Sequence, residues 1–351
     1  MSGTPENWGG QPVTWWAYGP CCTEGDVVGA WGSASETYGV PGEVQGVFRR
    51  DGAVDVAVIV VTYNNEGDVD ALISSLRSEA MQCSMRVILV DNGSVDATVA
   101  RASAHADVHV VDTGCNLGYA GGINRGSTFV GETETLLILN PDTTVVPGAV
   151  AAMRRRRELV GADLVVPALE GSDGRRARSL RREPSISRRL GDAVCGRFWN
   201  SRPSWLSEDV RDRAAYAHAH PVEWATGAAL MVSAEAANQI GPWDERFFLY
   251  SEETDYFRRA RELGFSAWYE PSARVIHAEG GSGRSPALVA LLVVNSLRYV
   301  EKHRPVAAPI HRALLILHEL RRWRDPDHRL ARTILWRRKS WEQLPQGEKT
   351  K

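Results

Sequence analysis

From Val54 to Val61 the chain reads Val-Asp-Val-Ala-Val-Ile-Val-Val, a nearly unbroken β-branched run. A run of that kind predicts a strand buried on both faces of a parallel sheet. Helical spacing follows over Val69–Ala80, then a second buried strand, Arg86-Val-Ile-Leu-Val-Asp91. Next come a helix starting at Ser94, a short strand at Val108–Val111 and a glycine-rich turn into a helix. A fourth strand, Thr135-Leu-Leu-Ile-Leu-Asn140, completes the pattern. Strands alternating with helices predict an α/β fold with a doubly wound, mostly parallel sheet. In such sheets ligands bind beyond the carboxyl ends of the strands. The residues at those ends are polar: Thr62-Tyr-Asn-Asn65, Asp91-Asn-Gly-Ser94 and Asn140-Pro-Asp142.

The flanks read differently. Residues 1–53 form a glycine-rich leader with Trp8, Trp15, Trp16 and Trp31 and no sustained period. Irregular structure is expected there, packed onto the main domain through the tryptophans. The predicted units are this leader, a nucleotide-binding half over 54–150, an acceptor-binding and catalytic half over 151–284, and a helical extension over 285–351. The extension (Ala313 to Leu320, Trp323, Leu330, Ile334, Trp336, Trp341) reads as amphipathic helices with interspersed arginines. Basic residues beside tryptophans suit either peripheral attachment to an anionic membrane face or packing onto the catalytic domain.

Composition narrows the classes. With 43% hydrophobic and 24% charged residues over 351 positions, a disordered or fibrous chain is excluded. A net charge of −2 gives no reason to expect nucleic-acid binding. The five cysteines are odd in number and scattered, against a disulfide scaffold or a zinc site. The first residues lack a secretory pattern, and the longest apolar run, Pro286–Val294, is too short to span a bilayer. A soluble, cytoplasmic protein is expected. Two regions break the charge balance: Arg175–Arg189 holds seven arginines, and residues 311–351 carry eleven Lys/Arg against five Asp/Glu. They suit an anionic surface or a phosphate-bearing acceptor, or they are solvated faces.

The turns exclude familiar nucleotide chemistries. Thr-Tyr-Asn-Asn stands where G-x-G-x-x-G would follow the first strand, so a nicotinamide or flavin enzyme is disfavoured. No G-x-x-x-x-G-K-[ST] occurs, and Gly281-Ser282-Gly283 lacks the spacing of a serine-hydrolase elbow. Asp91 can accept the imide N–H of a pyrimidine base, or simply cap its turn. Asn116-Leu-Gly-Tyr-Ala-Gly-Gly-Ile-Asn124 brings three glycines to a helix start, which suits a diphosphate. Asp142 is a hard oxygen ligand for Mg²⁺ or Mn²⁺, or a turn acid. His277 is a second metal ligand or a structural histidine. Ser251 is a helix N-cap, and Glu252, Glu253 and Asp255 are first-turn acids favoured by the helix dipole.

Taken in order, these motifs resemble family 2 glycosyltransferases of GT-A fold. The series continues with Trp-Asp-Glu-Arg-Phe-Phe-Leu-Tyr-Ser-Glu-Glu-Thr-Asp and Val-Ile-His-Ala-Glu-Gly-Gly-Ser, and within the family it is most similar to the bacterial rhamnosyltransferase-type branch. The resemblance covers residues 54–305. It implies that Thr62, Asn64 and Asp91 contact the nucleoside and that Asn116, Gly118 and Gly122 line the diphosphate. Asn140 and Asp142 stand at the metal-binding D-x-D positions, so Asp142 carries most of the metal duty and His277 completes the shell around Mg²⁺ or Mn²⁺. Relatives read Phe-Glu-Asp-x-Asp where this chain has Ser251-Glu252-Glu253-Thr254-Asp255, so a glutamate replaces the expected catalytic aspartate. Trp224, in Glu223-Trp-Ala-Thr-Gly-Ala-Ala-Leu-Met-Val232, stacks on a sugar or packs in the core.

The expected reaction is direct inverting displacement. Glu253 removes a proton from an acceptor hydroxyl while Glu252 or Asp255 orients the sugar or the base. The resemblance implies a nucleotide-sugar donor, a dTDP-deoxysugar such as dTDP-rhamnose, and a glycan, lipid-linked or small-molecule acceptor. It also places the Arg175–Arg189 loop at that acceptor. The Asp-to-Glu change at 253 leaves one rival, a non-catalytic nucleotide-sugar-binding or membrane-associated partner protein. A sugar-1-phosphate nucleotidylyltransferase is weakened by the lack of its glycine-rich signature.

Overall fold

The computed structural model describes residues 47–195, 199, 202–278 and 285–345. The leader up to residue 46 and the Glu279–Ser282 stretch lie outside the described residues. All that follows belongs to the unit Gly42–Lys351. In chain order its first strands and helices are β1 (Val54–Thr62), α1 (Val69–Glu79), β2 (Met85–Asp91), α2 (Thr98–Ser103), β3 (His109–Asp112), α3 (Gly118–Ser127), β4 (Thr133–Leu139), β5 (Thr143–Val145) and α4 (Ala149–Val160). The second half carries β6 (Leu164–Glu170), β7 (Leu180–Arg181), α5 (Ile186–Cys195), β8 (His220–Pro221), β9 (Trp224–Ala225), β10 (Ala229–Ser233), α6 (Ala234–Ile240), α7 (Glu252–Glu262) and β11 (Ala267–His277). Three helices close the chain: α8 (Pro286–His303), α9 (Ala308–Arg321) and α10 (Arg329–Ile334).

The main sheet runs β3-β2-β1-β4-β10-β6-β11-β5, with β8 beside β11 and β7-β9 forming a separate ribbon. Strands β1 to β4 are mutually parallel where they pair. Strand β10 is antiparallel to both β4 and β6, so β6 again runs with β4, and β11 runs with β6. The carboxyl ends of β1, β2, β4, β6 and β11 therefore share one edge. The unbroken run of β1 is explained by its two covered faces. Ala57, Ile59 and Val61 pack with Ile123, Ala236 and Phe257, while Val56, Val58 and Val60 pack with Leu72, Leu76 and Met153.

Three boundaries differ from the sequence reading. The ordered fold begins before Val54, because Phe48 is buried and the N–H groups of Val47 and Phe48 donate to Asp107. The helix after β2 starts at Thr98 rather than Ser94, because Ser94 donates through its N–H and its Oγ to Asp91 and closes a turn instead. Residues 223–232 form two strands, not one, separated by a turn at 226–228 whose Ala228 carbonyl accepts from the N–H of Asn140. In the C-terminal region Leu315 and Trp341 pack inward, as the packing alternative expects, while Leu320, Trp323 and Trp336 stay exposed. No helix of the described residues is long and apolar enough to cross a membrane.

Helix α3 sits unusually close to the sheet. A Cβ on Gly122 would lie 2.5 Å from Val61 Cγ1 and 2.9 Å from its Cγ2. The expected effect of Gly122→Ala is a lower thermal midpoint. Overpacking of about 1–3 kcal/mol opposes a helix-propensity gain of about 1 kcal/mol. Unchanged or raised stability in a thermal melt would contradict this packing.

Candidate active site

The turns after β1 and β2 form one stitched frame. Thr62 Oγ1 donates to Asp91 Oδ1 at 2.9 Å, and Ser94 donates to both carboxylate oxygens at 2.5 and 2.7 Å. Thr62 and Asp91 have no exposed surface. Asn64 holds a left-handed backbone (φ 56°); its N–H donates to Ser94 Oγ and its Oδ1 accepts from the N–H of Val95. The three residues expected at the nucleoside thus brace the turns, with Tyr63 and Asn64 half-exposed beside them.

Asn116 Oδ1 accepts from the N–H of Gly118, and the N–H of Tyr119 donates to the Phe248 carbonyl at 2.6 Å. The N–H groups of Gly118 and Tyr119 are therefore bonded within the protein. A Cβ on Gly118 (φ 77°) would lie 2.5 Å from both the ring and the carbonyl oxygen of Phe248. Gly118 and Gly122 therefore serve close packing, against the 248 segment and β1 respectively.

Two predicted metal ligands do meet. Strand β11 pairs antiparallel with β5, His277 opposite Thr143, which sets His277 beside the turn that carries Asp142. Imidazole Nε2 lies 3.1 Å from Asp142 Oδ1, and Asn140 Nδ2 lies 3.4 Å from the same nitrogen. A carboxylate oxygen with an imidazole nitrogen fits a borderline-hard divalent cation such as Mn²⁺ or Mg²⁺. No group of three or more such side chains occurs among the described residues, so the protein would leave other coordination positions to ligand and water.

The carboxylates at the start of α7 are presented by a strained segment. Phe248, Tyr250 and Ser251 all have left-handed φ, at 59°, 71° and 72°. Ser251 occupies the N-cap position, but in that conformation its side chain makes no cap hydrogen bond, contrary to the sequence expectation. From α8, the buried Asn295 amide donates to the carbonyls of Phe247, Leu249 and Tyr250, the last two at 2.8 and 3.1 Å. Neither Glu252 Oε2 nor Glu253 Oε2 has a hydrogen-bond partner among the described residues. Burial, then the charge of Glu253, pushes Glu252 well above the usual carboxylate range; burial also raises Glu253. Buried orphan carboxylates call for a functional explanation.

Glu253 lines a cavity of about 680 Å³ with Arg181, Trp224, Thr226, Tyr250 and the apolar α8 residues Leu288 and Leu292. Trp224 is buried, donates Nε1–H to the Arg182 carbonyl at 2.9 Å, and forms part of the cavity wall. The turn at 226–228 joins this cavity to the metal-ligand pair. Gly227 faces Glu253 on one side, and Ala228 binds Asn140 on the other. Tyr119 donates its hydroxyl to the Gly227 carbonyl at 3.1 Å. Its phenol is held protonated by burial and then by Glu252, Glu253 and Asp142. Tyr119, Gly227 and Asn295 were not singled out from sequence. Tyr119 lay inside a quoted motif, whereas Asn295 sits in an apolar run where its polarity was the available signal.

Asp255 is elsewhere. It is fully buried, paired with Arg259 at 2.8 Å, Lys302 at 2.5 Å and His303 at 2.6 Å. Burial raises its carboxyl, but the hydrogen bonds from His303 and Lys302 outweigh that and hold it below the ordinary value. It ties α7 to α8 and does not reach the cavity wall.

A parallel first half of the sheet, an antiparallel crossing strand and a D-x-D-like turn beside the sheet edge define a GT-A glycosyltransferase fold. In agreement, the chain superposes on a solved structure, GalNAc-T7 with UDP, GalNAc and Mn²⁺, with a TM-score of 0.52 and 13% identity, over 71% of this chain and 48% of that one. Residues 57–223 match the model of glycosyl transferase family 2. The N-acetylglucosaminyl-diphospho-decaprenol L-rhamnosyltransferase of Mycobacterium tuberculosis is 34% identical over 66% of this chain and 78% of its own. The low-salt glycan biosynthesis hexosyltransferase Agl10 of Haloferax volcanii is 28% identical over 59% of this chain and 62% of its own. The chain belongs to glycosyl transferase family 2.

Removing a partner from a buried ion-pair cluster is costly, so Asp255→Ala is expected to lose about 3 kcal/mol in urea unfolding while the donor KM stays unchanged. A large donor KM increase without loss of stability would return Asp255 to the site.

Proposed function

We propose that this glycosyltransferase moves a deoxyhexose, rhamnose in the first instance, from a dTDP-linked donor to a hydroxyl of a lipid-linked glycan acceptor. The observation that carries the reading is Glu253, whose carboxylate oxygen is unpartnered on a cavity wall one turn away from the Asp142–His277 pair. The rhamnosyl and diphospho-prenol parts rest on the mycobacterial relative's described activity.

In this reading Glu253 accepts the proton of the acceptor hydroxyl as that oxygen attacks the anomeric carbon from the face opposite the leaving diphosphate. The configuration inverts. Burial raises the basicity of Glu253, which strengthens it as a proton acceptor once deprotonated. Burial and the charge of Glu253 favour the protonated form of Glu252, which is able to donate a hydrogen bond. Asp142 and His277 would hold a divalent cation, with Asn140 alongside; such an ion stabilises charge developing on the diphosphate leaving group. Arg181 on the cavity wall lowers the cost of charge on Glu253. The apolar Leu288 and Leu292, together with exposed Trp323 and Trp336 among arginines, support an acceptor presented from a membrane face and peripheral contact with it.

The test is transfer from dTDP-rhamnose to a prenyl-diphosphate-linked N-acetylglucosamine, with and without Mn²⁺. Wild-type protein is expected to turn over, and Glu253→Gln to lose at least about 100-fold in kcat with the donor KM retained. Full turnover by Glu253→Gln would remove the proposed base.

A further inference from the structure

The seven arginines of 175–189 divide into two groups. Arg181 pairs with Asp209 at 3.3 Å, Arg182 donates to the Asp209 carbonyl at 2.9 Å, Arg188 lies 3.4 Å from Glu223, and Arg189 donates to Ser296 at 2.8 Å. These four brace the loop. The other three, Arg175, Arg176 and Arg178, converge with Arg211 and Arg213 from a separate segment on a pocket of about 500 Å³. Tyr216 forms part of its wall, and no carboxylate lines it. Arg175 has Asp173, at 3.6 Å and largely exposed, Arg176 donates to the Tyr216 carbonyl, and Arg211 pairs with Asp209 at 3.1 Å. Arg178 and Arg213 have no carboxylate partner among the described residues.

Five arginines around a concavity, with Asp209 pairing Arg211 and Asp173 near Arg175, leave a net positive charge that favours an occupant with several negative oxygens. A single carboxylate would leave most of that charge uncompensated. The pocket's position is informative. It follows β6, whose last residue Glu170 is in register with Ile276, next to His277 of the metal-ligand pair. Arg178 and Arg181 lie three residues apart, about 10 Å along an extended chain. Arg181 lines the cavity of Glu253, so the basic pocket and that cavity flank one segment. A flat membrane face is better matched by the exposed tryptophans of the C-terminal helices than by a concave pocket.

We propose that this five-arginine pocket binds the diphosphate of the acceptor, anchoring its lipid end while the acceptor sugar reaches Glu253. The assignment rests on the lipid-linked acceptor reading given above and adds the group that recognises it.

The test uses the full chain and the double variant Arg178→Ala/Arg213→Ala, both positions being exposed and unpaired. Two soluble acceptors are compared: a short-chain prenyl-diphosphate N-acetylglucosamine and an alkyl N-acetylglucosaminide without phosphate. For the diphosphate acceptor the variant's KM is expected to rise by about tenfold or more, with kcat and donor KM unchanged. The alkyl glycoside KM is expected not to move, and calorimetric binding of the diphosphate acceptor to weaken in parallel. Equal effects on both acceptors, or none, would overturn the assignment. So would loss of binding to anionic vesicles, or to inorganic pyrophosphate, with the diphosphate-acceptor KM intact; those results would assign the pocket to headgroups or free phosphate. If wild-type protein transfers to neither acceptor, the transfer reading fails, and calorimetry alone decides the pocket: retained binding by the variant overturns it.

Discussion

The site depends on a backbone constraint, the run of left-handed residues that leads into α7. Phe248, Tyr250 and Ser251 each occupy a conformation that costs an ordinary side chain about 1–3 kcal/mol. That conformation persists because its carbonyls are held from two sides. The N–H of Tyr119 takes the Phe248 carbonyl, an approach open only because Gly118 lacks a Cβ, and the Asn295 amide takes its neighbours. Helix α3 is in turn seated on β1 through Gly122. The glycines of α3 thereby fix where the acids of α7 stand.

Three acids in one helical turn have three different environments. Glu252 is buried beside a like charge that favours its protonated form, Glu253 lines a cavity with its basicity raised, and Asp255 is paired with cations from its own helix and α8. Divergence of this kind is how one segment separates proton transfer from structural support. The same carboxylate chemistry at Asp142, set beside His277 by strand pairing, suits a cation instead.

Much of this was legible in the sequence. The β-branched run of β1, the polar strand ends and the motif order gave the sheet and the family, and the pairing of Asp142 with His277 follows from that order. What periodicity does not carry is the partner of each polar group. Asp91 and Thr62 read as ligand contacts from their placement at strand ends, but that Thr62 donates to Asp91 is visible only in the fold. Asp255 read as part of a catalytic triplet because Lys302 and His303 lie almost fifty residues on, in a helix whose docking no local pattern specifies. The arginine loop read as one basic patch, and only the fold separates its bracing residues from those that meet Arg211 and Arg213.

The most direct test of the account is the pH dependence of kcat/KM. A base must be deprotonated to act, and burial raises Glu253, coupled to Glu252, above the ordinary glutamate value of 4.5. The account predicts a rising limb with an apparent pKa clearly above 4.5, absent from the residual activity of Glu253→Gln. A limb at or below 4.5, or one that survives unchanged in Glu253→Gln, would contradict it.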